Sequence, residues 1–256
     1  MVKLSIIIPA YNEEKRISRT LESYLDFFNK RLQDFEIIVV VNNSKDNTLK
    51  IVKDFSKKNN KIKYLDFKEP IGKGGAIKEG FKIAKGDLVG FVDADMATPP
   101  EAFYDLVKNI DEYDGVIASR WLEKSKVKAK QPLLKRIGSR GFNLLIRILF
   151  SLDFKDTQCG AKLFKNYVVK NILKDLGITK WAFDINLLYI IKRKGYKVKE
   201  IPTIWNAVKA SHFNLFKAVP EMFLGLIRLR LVYSKFRFII KYYDKLPEWL
   251  KIHHKL

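Results

Sequence analysis

The chain has 256 residues and is 47% hydrophobic, enough for the core of one large domain or a domain and a half. Its net charge of +21 draws nucleic acid, anionic headgroups or phosphorylated substrates without choosing among them. The single Cys159 excludes an internal disulfide, and three histidines cannot supply a zinc site without outside ligands.

The apolar runs Leu4–Pro9, Phe35–Val41, Ile62–Phe67, Leu88–Val92 and Gly115–Ser119 predict strands, and the stretches between them carry the 3.6-residue period of helices. That alternation predicts an α/β fold with a doubly wound, mainly parallel sheet. Polar clusters follow the strands at Asn12–Glu14, Asn42–Asn47, Gly72–Gly75 and Asp93–Ala97, so all should gather at the carboxyl edge of the sheet. From Trp121 to Gln131 the lysines 124, 126, 128 and 130 break the pattern and predict a mobile surface loop.

Between Pro132 and Phe150 a helical pattern puts Arg136, Arg140, Asn143 and Arg147 on one stripe of a largely apolar helix, which suits a phosphate headgroup with a lipid tail or a core helix with a solvated face. After about Ser211 the chain becomes strongly amphipathic. Glu221 to Tyr233 makes a helix too short, at about 1.5 Å per residue, to cross a bilayer. With Phe236, Phe238, Tyr242, Tyr243 and Trp249 among basic residues, it reads as an attachment to an anionic membrane surface, with an oligomer contact as the alternative. No run reaches 18 uncharged apolar residues and the start leads directly into a strand pattern, so neither a membrane span nor a signal peptide is expected, and a cytosolic face is the default. The organisation expected is residues 1–119 as a ligand-binding half, 120–212 as the second half of the same domain, and 213–256 as amphipathic helices.

Asp93-Ala94-Asp95 carries the most chemistry. Two acids one residue apart beyond a strand fall on one face at the ligand-binding edge, where hard oxygen ligands could hold a divalent cation and through it a diphosphate; paired Asp residues after a strand are also often only turn formers. Pro9, Tyr11 and Glu13 offer a rigid turn, a ring face and a carboxylate for a base and ribose, while Asn12 could simply cap a helix carrying Glu13 and Glu14. Gly72, Gly74 and Gly75 let backbone approach a ligand, with Lys73 as a point charge for phosphate, unless they form only a glycine-rich turn. Asp156 and Gln158 either orient a ligand or close an Asx turn at Gly160. Asp184, before Ile185-Asn186-Leu187-Leu188-Tyr189, is a good N-cap, and Cys159 packs in the core.

Ser5–Glu14, Val41–Thr48, Gly72–Gly75 and Asp93–Asp95, in that order and spacing, resemble the nucleotide-sugar half of family 2 glycosyltransferases, which have the GT-A fold, a Rossmann-like sheet. Asp156–Gly160, Lys162–Phe164 and Trp181–Asp184 resemble its polyprenyl-phosphate branch, most nearly the dolichyl-phosphate glucose synthases, relatives of the dolichyl-phosphate mannose synthases. The resemblance implies an inverting enzyme, dependent on Mg²⁺ or Mn²⁺, that moves a hexose from a nucleotide diphosphate sugar to a polyprenyl or dolichyl phosphate at the cytosolic membrane face. Glucose from UDP-glucose is the first expectation; GDP-mannose or a saccharide hydroxyl acceptor are the alternatives. It places Asp93 and Asp95 at the metal; Pro9, Tyr11, Glu13, Asn42, Lys73 and Ala94 with them at the donor; and Arg120, Gln158 and Asp184 at the reaction centre, where the place of Asp184 resembles that of the catalytic base in relatives that glycosylate alcohols. Lys135, Arg136, Ser139 and Arg140 fall at the acceptor phosphate. The family's second strand ends in acids, where this chain has Asn42 and Asn43, so the preferred base cannot be read from the family. A nucleic-acid-binding module, the rival from charge alone, fits poorly with acids clustered at one edge and a basic, aromatic segment patterned for a membrane.

Overall fold

The computed structural model describes residues 4–128, 133–177, 182–206 and 215–245. The first strands and helices alternate as β1 (Leu4–Ala10), α1 (Ile17–Asn29), β2 (Phe35–Asn42), α2 (Thr48–Lys58), β3 (Ile62–Phe67), α3 (Gly72–Ile83), β4 (Leu88–Phe91), α4 (Pro100–Lys108) and β5 (Gly115–Ser119). There follow β6 (Lys126–Val127), α5 (Leu133–Phe150), β7 (Lys162–Lys165), α6 (Asn166–Ile172), α7 (Phe183–Arg193), β8 (Val198–Pro202), β9 (Ile204–Trp205), α8 (Leu215–Val232) and α9 (Phe238–Asp244). The five expected strands all form, with ends within a residue of those read from the sequence.

Seven strands make one sheet in the order β3-β2-β1-β4-β7-β5-β8. Every pairing is parallel except those of β7, which runs antiparallel between β4 and β5 with Lys162 opposite both Phe91 and Ile117. Because β7 is reversed, its first residue lies at the carboxyl ends of its neighbours, and the turn before it is delivered to the ligand-binding edge.

Side-chain alternation divides the core into two layers. Ile6 and Ile8 of β1 pack with Leu21, Tyr24 and Phe28 of α1 and Phe103 of α4, whereas Ile7 faces Ala76 and Ile77 of α3 and Ile185 of α7. Leu226 and Leu229 of α8 and Ile146 and Phe150 of α5 join the second layer.

The Lys-rich segment departs from expectation. Instead of a plain loop it contains β6, which pairs in parallel with β9, while Lys130 and Gln131 lie outside the described residues. Two residues are too few for alternation to reveal a strand; the pairing comes from backbone groups of a segment far along the chain. Asn12 does not cap a helix either: α1 begins at Ile17 after Arg16, without a side-chain cap. Among the described residues no helix is long and apolar enough to cross a membrane.

Candidate active site

Three loops at the carboxyl edge are tied together before any ligand is considered. Asn12, with φ 52°, accepts from Lys45 N through Oδ1 at 2.8 Å and donates its own N–H to Ser44 Oγ at 3.1 Å. Glu13 N donates to Thr48 Oγ1 at 2.7 Å and Glu14 N to Asp46 Oδ2 at 3.1 Å, so the β1–α1 and β2–α2 loops form one unit. Asn42 ends β2 buried, and its Oδ1 accepts from Ile71 N at 2.9 Å, anchoring the start of α3. The residue that departs from the family pattern therefore has its acceptor atom committed to the fold. Pro9 is half-buried, while Tyr11 stands 57% exposed at the lip, an uncovered ring face.

The Asp93–Asp95 segment is a turn held from below by α1. Thr20 Oγ1 donates to Ala94 O at 2.7 Å, and the buried Tyr24 hydroxyl donates to Thr98 O at 2.9 Å. Asp95 Oδ1 accepts from Ala97 N at 2.9 Å, and Met96 between them takes the left-handed φ of 62°. That conformation is uncommon for a residue with a β-carbon and fits a turn whose geometry is set by its surroundings.

Asp93 lies 2.5 Å from Lys73 Nζ through Oδ1. Lys73, expected to face a phosphate, is thus paired with the carboxylate beside it, with both side chains about a third exposed. Gly160 abuts Asp93 from the other side: a β-carbon there would come within 1.9 Å of Asp93 Oδ2. Gly74 lies under α7, where a β-carbon would meet the Phe183 ring at 2.6 Å, so its missing side chain admits that helix.

The two acids of the turn are driven apart in affinity for protons. Burial works to raise Asp93, but Lys73, with Lys162 and Arg120 farther off, outweighs it and holds Asp93 below the usual carboxylate range. Burial and then the charge of Asp93 push Asp95 up. Glu13 is also raised, by burial, with smaller contributions from both aspartates opposing its ion pair to Arg16 at 2.6 Å. Burial and the neighbouring Asp93 thus both disfavour the charged form of Asp95, and a divalent cation there would favour it. Among the described residues no three His, Cys, Asp or Glu side chains gather to hold a metal. The pair fits a hard cation that takes its remaining oxygens from outside the protein, as Mg²⁺ does with diphosphates.

Arg120 and Asp156 form a fork. Asp156 Oδ2 accepts from Arg120 Nε at 2.7 Å and its backbone N at 2.9 Å, and Oδ1 accepts from Arg120 Nη2 at 2.8 Å. Asp156 Oδ1 also accepts from Gln158 N at 3.3 Å, so the Asx turn exists as well. The Arg120 guanidinium lies 5.8 Å from the Trp121 ring centroid and 5.4 Å from that of Trp205, and Arg140 reaches Trp121 at 5.5 Å. Backbone joins this corner to the acid turn, because Asn206 N donates to Ala97 O at 2.8 Å. Gln158 is half-buried; Cys159 is buried, its thiol pushed up to about 11 by burial, as suits a packing residue.

On α5, Arg140 and Arg147 are exposed, and the side chains of Lys135, Arg136 and Ser139 lie outside the described residues. Asn143 does not belong with a headgroup-facing stripe: its Nδ2 donates to Phe154 O at 3.1 Å and Lys155 O at 2.6 Å, and its Oδ1 accepts from Thr157 Oγ1 at 3.1 Å. It clamps the turn that bears Asp156. Nor does Asp184 cap a helix. The cap position of α7 is Ala182, and Asp184, buried in the first turn, pairs at 2.6 Å with Lys162 Nζ. Lys162 was not among the expected site residues; a lysine inside the apolar run Ala161–Phe164 is the signal that marks it.

A family model, Glycosyl transferase family 2, matches residues 5–173. The chain belongs to this family and is a glycosyltransferase. Among curated relatives it is 32% identical over 245 residues to the dolichyl-phosphate beta-glucosyltransferase of Dictyostelium discoideum, covering 91% of this chain and 75% of the relative. To the enzyme of that name from Homo sapiens it is 30% identical, covering 90% and 76%. In solved structures it resembles Mycobacterium tuberculosis glucosyl-3-phosphoglycerate synthase in complex with Mn²⁺, uridine diphosphate and glucosyl-3-phosphoglycerate, with a TM-score of 0.63 at 19% identity over 90% of this chain and 79% of that one. It also matches S. aureus TarS with UDP-GlcNAc, at a TM-score of 0.58 and 24% identity, over 100% of this chain and 73% of that one. The sheet is accordingly the Rossmann-like GT-A fold, as the sequence implied.

Proposed function

We propose that this glycosyltransferase moves glucose from UDP-glucose to dolichyl or another polyprenyl phosphate, with inversion and with a divalent metal, while attached to the cytosolic face of a membrane. The observation that carries the reading is the arrangement of Asp93, Asp95 and Lys73 at the carboxyl edge of the sheet, in a chain about one-third identical to dolichyl-phosphate beta-glucosyltransferases over most of its length. Relatives in the fold that bind uridine diphosphate with Mn²⁺ support the donor class.

Asp95 with Asp93 would hold Mg²⁺ or Mn²⁺, which supplies positive charge to the departing diphosphate. Lys73, freed from Asp93 or shared with it, adds a second cation beside the same group. The acceptor is a phosphate monoester with a second pKa near 6, hence largely a dianion at neutral pH, and needs no general base. Its oxygen attacks the anomeric carbon in line as the bond from that carbon to the diphosphate oxygen breaks, which inverts the centre. Arg140, exposed on α5 and close to Trp121, would draw the acceptor phosphate toward the Arg120 corner.

Membrane attachment is supported by apolar side chains left in water on helices that pack together. Leu144 and Ile148 of α5 and Phe223 and Ile227 of α8 are exposed, α5 and α8 are in contact, and Arg140, Arg147 and Arg230 stand exposed on the same helices. The test is transfer of label from UDP-glucose or GDP-mannose to polyprenyl phosphate, with Mg²⁺, Mn²⁺ or excess chelator. Lipid-extractable product from UDP-glucose alone, lost with chelator, is expected. Product from GDP-mannose alone would overturn the donor assignment, and full turnover in chelator the metal assignment.

A further inference from the structure

Behind the acid turn lies a charged pair with no part in the mechanism above. Lys162 is completely buried, at the first position of the one reversed strand in the main sheet. Its Nζ donates to Asp184 Oδ1 at 2.6 Å and to Cys159 O at 2.6 Å, and lies 5.4 Å from the Phe91 ring centroid. A buried ammonium is tolerated only when paired and hydrogen-bonded, and here both conditions are met by two elements, α7 and the turn before β7.

The turn it grips is the one that bounds Asp93. Cys159 O is bonded to Lys162, and the next residue, Gly160, sits so close to Asp93 that a β-carbon there could not be admitted. Any shift of the Cys159 carbonyl moves the wall against which Asp93 rests. One carboxylate oxygen of Asp184, Oδ1, is committed to a fully buried ammonium.

We infer that Lys162 and Asp184 are a positioning pair for the donor site: Lys162 fixes the Cys159–Gly160 wall and the orientation of Asp93, and Asp184 serves as its counter-ion and takes no proton from the acceptor. The inference rests on the donor reading above, and goes beyond it in giving Asp184 a role other than catalysis and Lys162 a role at all.

Calorimetric binding of UDP with Mn²⁺ to the purified chain, alongside transfer rates, separates the two readings. Asp184→Asn keeps an oxygen to accept from Lys162 while removing any base. It leaves the buried ammonium without its counter-charge, so Tm is expected to fall, while the folded protein binds UDP·Mn²⁺ within about 3-fold of wild type and turns over within about 10-fold. Lys162→Met is expected to weaken UDP·Mn²⁺ at least 10-fold, about one tenfold step in the equilibrium constant or more. If Lys162→Met does not fold, the neutral pair Lys162→Met with Asp184→Asn, which also lacks a donor to Cys159 O but leaves no unpaired carboxylate, carries the same test, and the same weakening is expected. Wild-type affinity for UDP·Mn²⁺ in the Lys162 variant that folds would leave Lys162 a merely structural residue and overturn the inference. A loss of transfer beyond 1,000-fold in Asp184→Asn with UDP·Mn²⁺ binding intact, a loss of the size expected when essential proton transfer is removed, would make Asp184 the base and overturn it too. Wild-type protein that binds neither UDP·Mn²⁺ nor GDP·Mn²⁺ would instead overturn the donor reading itself.

Discussion

Replacing Arg120 with Met tests whether the fork to Asp156 supports the site corner. The methionine keeps apolar bulk between Trp121 and Trp205 but removes two charge-assisted bonds, at 2.7 and 2.8 Å, from a carboxylate whose side chain is 2% exposed. Breaking a buried pair by removing one partner costs about 3–5 kcal/mol. Asp156 retains the backbone N–H groups of residue 120 and Gln158, and Arg120 is itself 17% exposed, so the lower end, about 3 kcal/mol, is expected. For a chain of this size that is a fall in Tm of roughly 6–12 °C. The deficit should depend on pH with a definite sign. Burial works to raise Asp156, but Arg120 overrides it and sets the folded pKa below the ordinary value of 3.8, so the wild-type contribution is present above that value and lost as pH falls through the folded pKa. Without Arg120, burial raises Asp156 instead, and its protonation on acidification relieves the variant. Scanning calorimetry of both proteins between pH 8 and about pH 4 should show the gap in Tm narrowing toward acid. A gap that is constant with pH, or smaller than about 1 kcal/mol at neutral pH, the worth of an exposed pair, would refute the buried-pair argument.

Asp95→Asn keeps the bond to Ala97 N but removes a carboxylate that burial and Asp93 have pushed up, so it should raise the Tm of the ligand-free protein at neutral pH while nearly abolishing transfer. A raised folded pKa means that ionisation costs the native state as pH rises through it; the gain should therefore shrink on acidification, and a variant no more stable than wild type at pH 7 would count against the repulsion. Gly160→Ala puts a β-carbon 1.9 Å from Asp93 Oδ2 and should weaken UDP·Mn²⁺ binding at least 10-fold by calorimetry, an affinity loss of about 1.4 kcal/mol or more; unchanged binding would show that Asp93 can move freely. In vesicle flotation with anionic lipid, Phe223→Ser with Ile227→Ser should reduce binding mainly at high salt, and Arg140→Ala with Arg147→Ala mainly at low salt, at about 1 kcal/mol per basic residue. Absence of wild-type flotation at low salt would remove the membrane assignment.

The five parallel strands, the class of fold and the edge at which Asp93, Asp95 and Lys73 meet were all legible in the sequence, because apolar periodicity and the position of polar clusters after strands are local properties. The family, too, was legible in short motifs whose spacing survives without knowledge of contacts. Tertiary structure alone decided which charges meet. Lys162 and Asp184 are 22 residues apart, and Arg120 and Asp156 are 36 apart. Their pairing depends on β7 entering the sheet in reverse between β4 and β5, a choice made by hydrogen bonding across the sheet that no local pattern records. The same holds for Asn143, read as part of a basic stripe and found clamping the Asp156 turn, and for Gly74, read as room for a ligand and found as room for Phe183. Residue type told which groups could carry charge or leave space; only packing determined what stood opposite them, because burial makes an unpaired charge or an empty space too costly to leave unanswered.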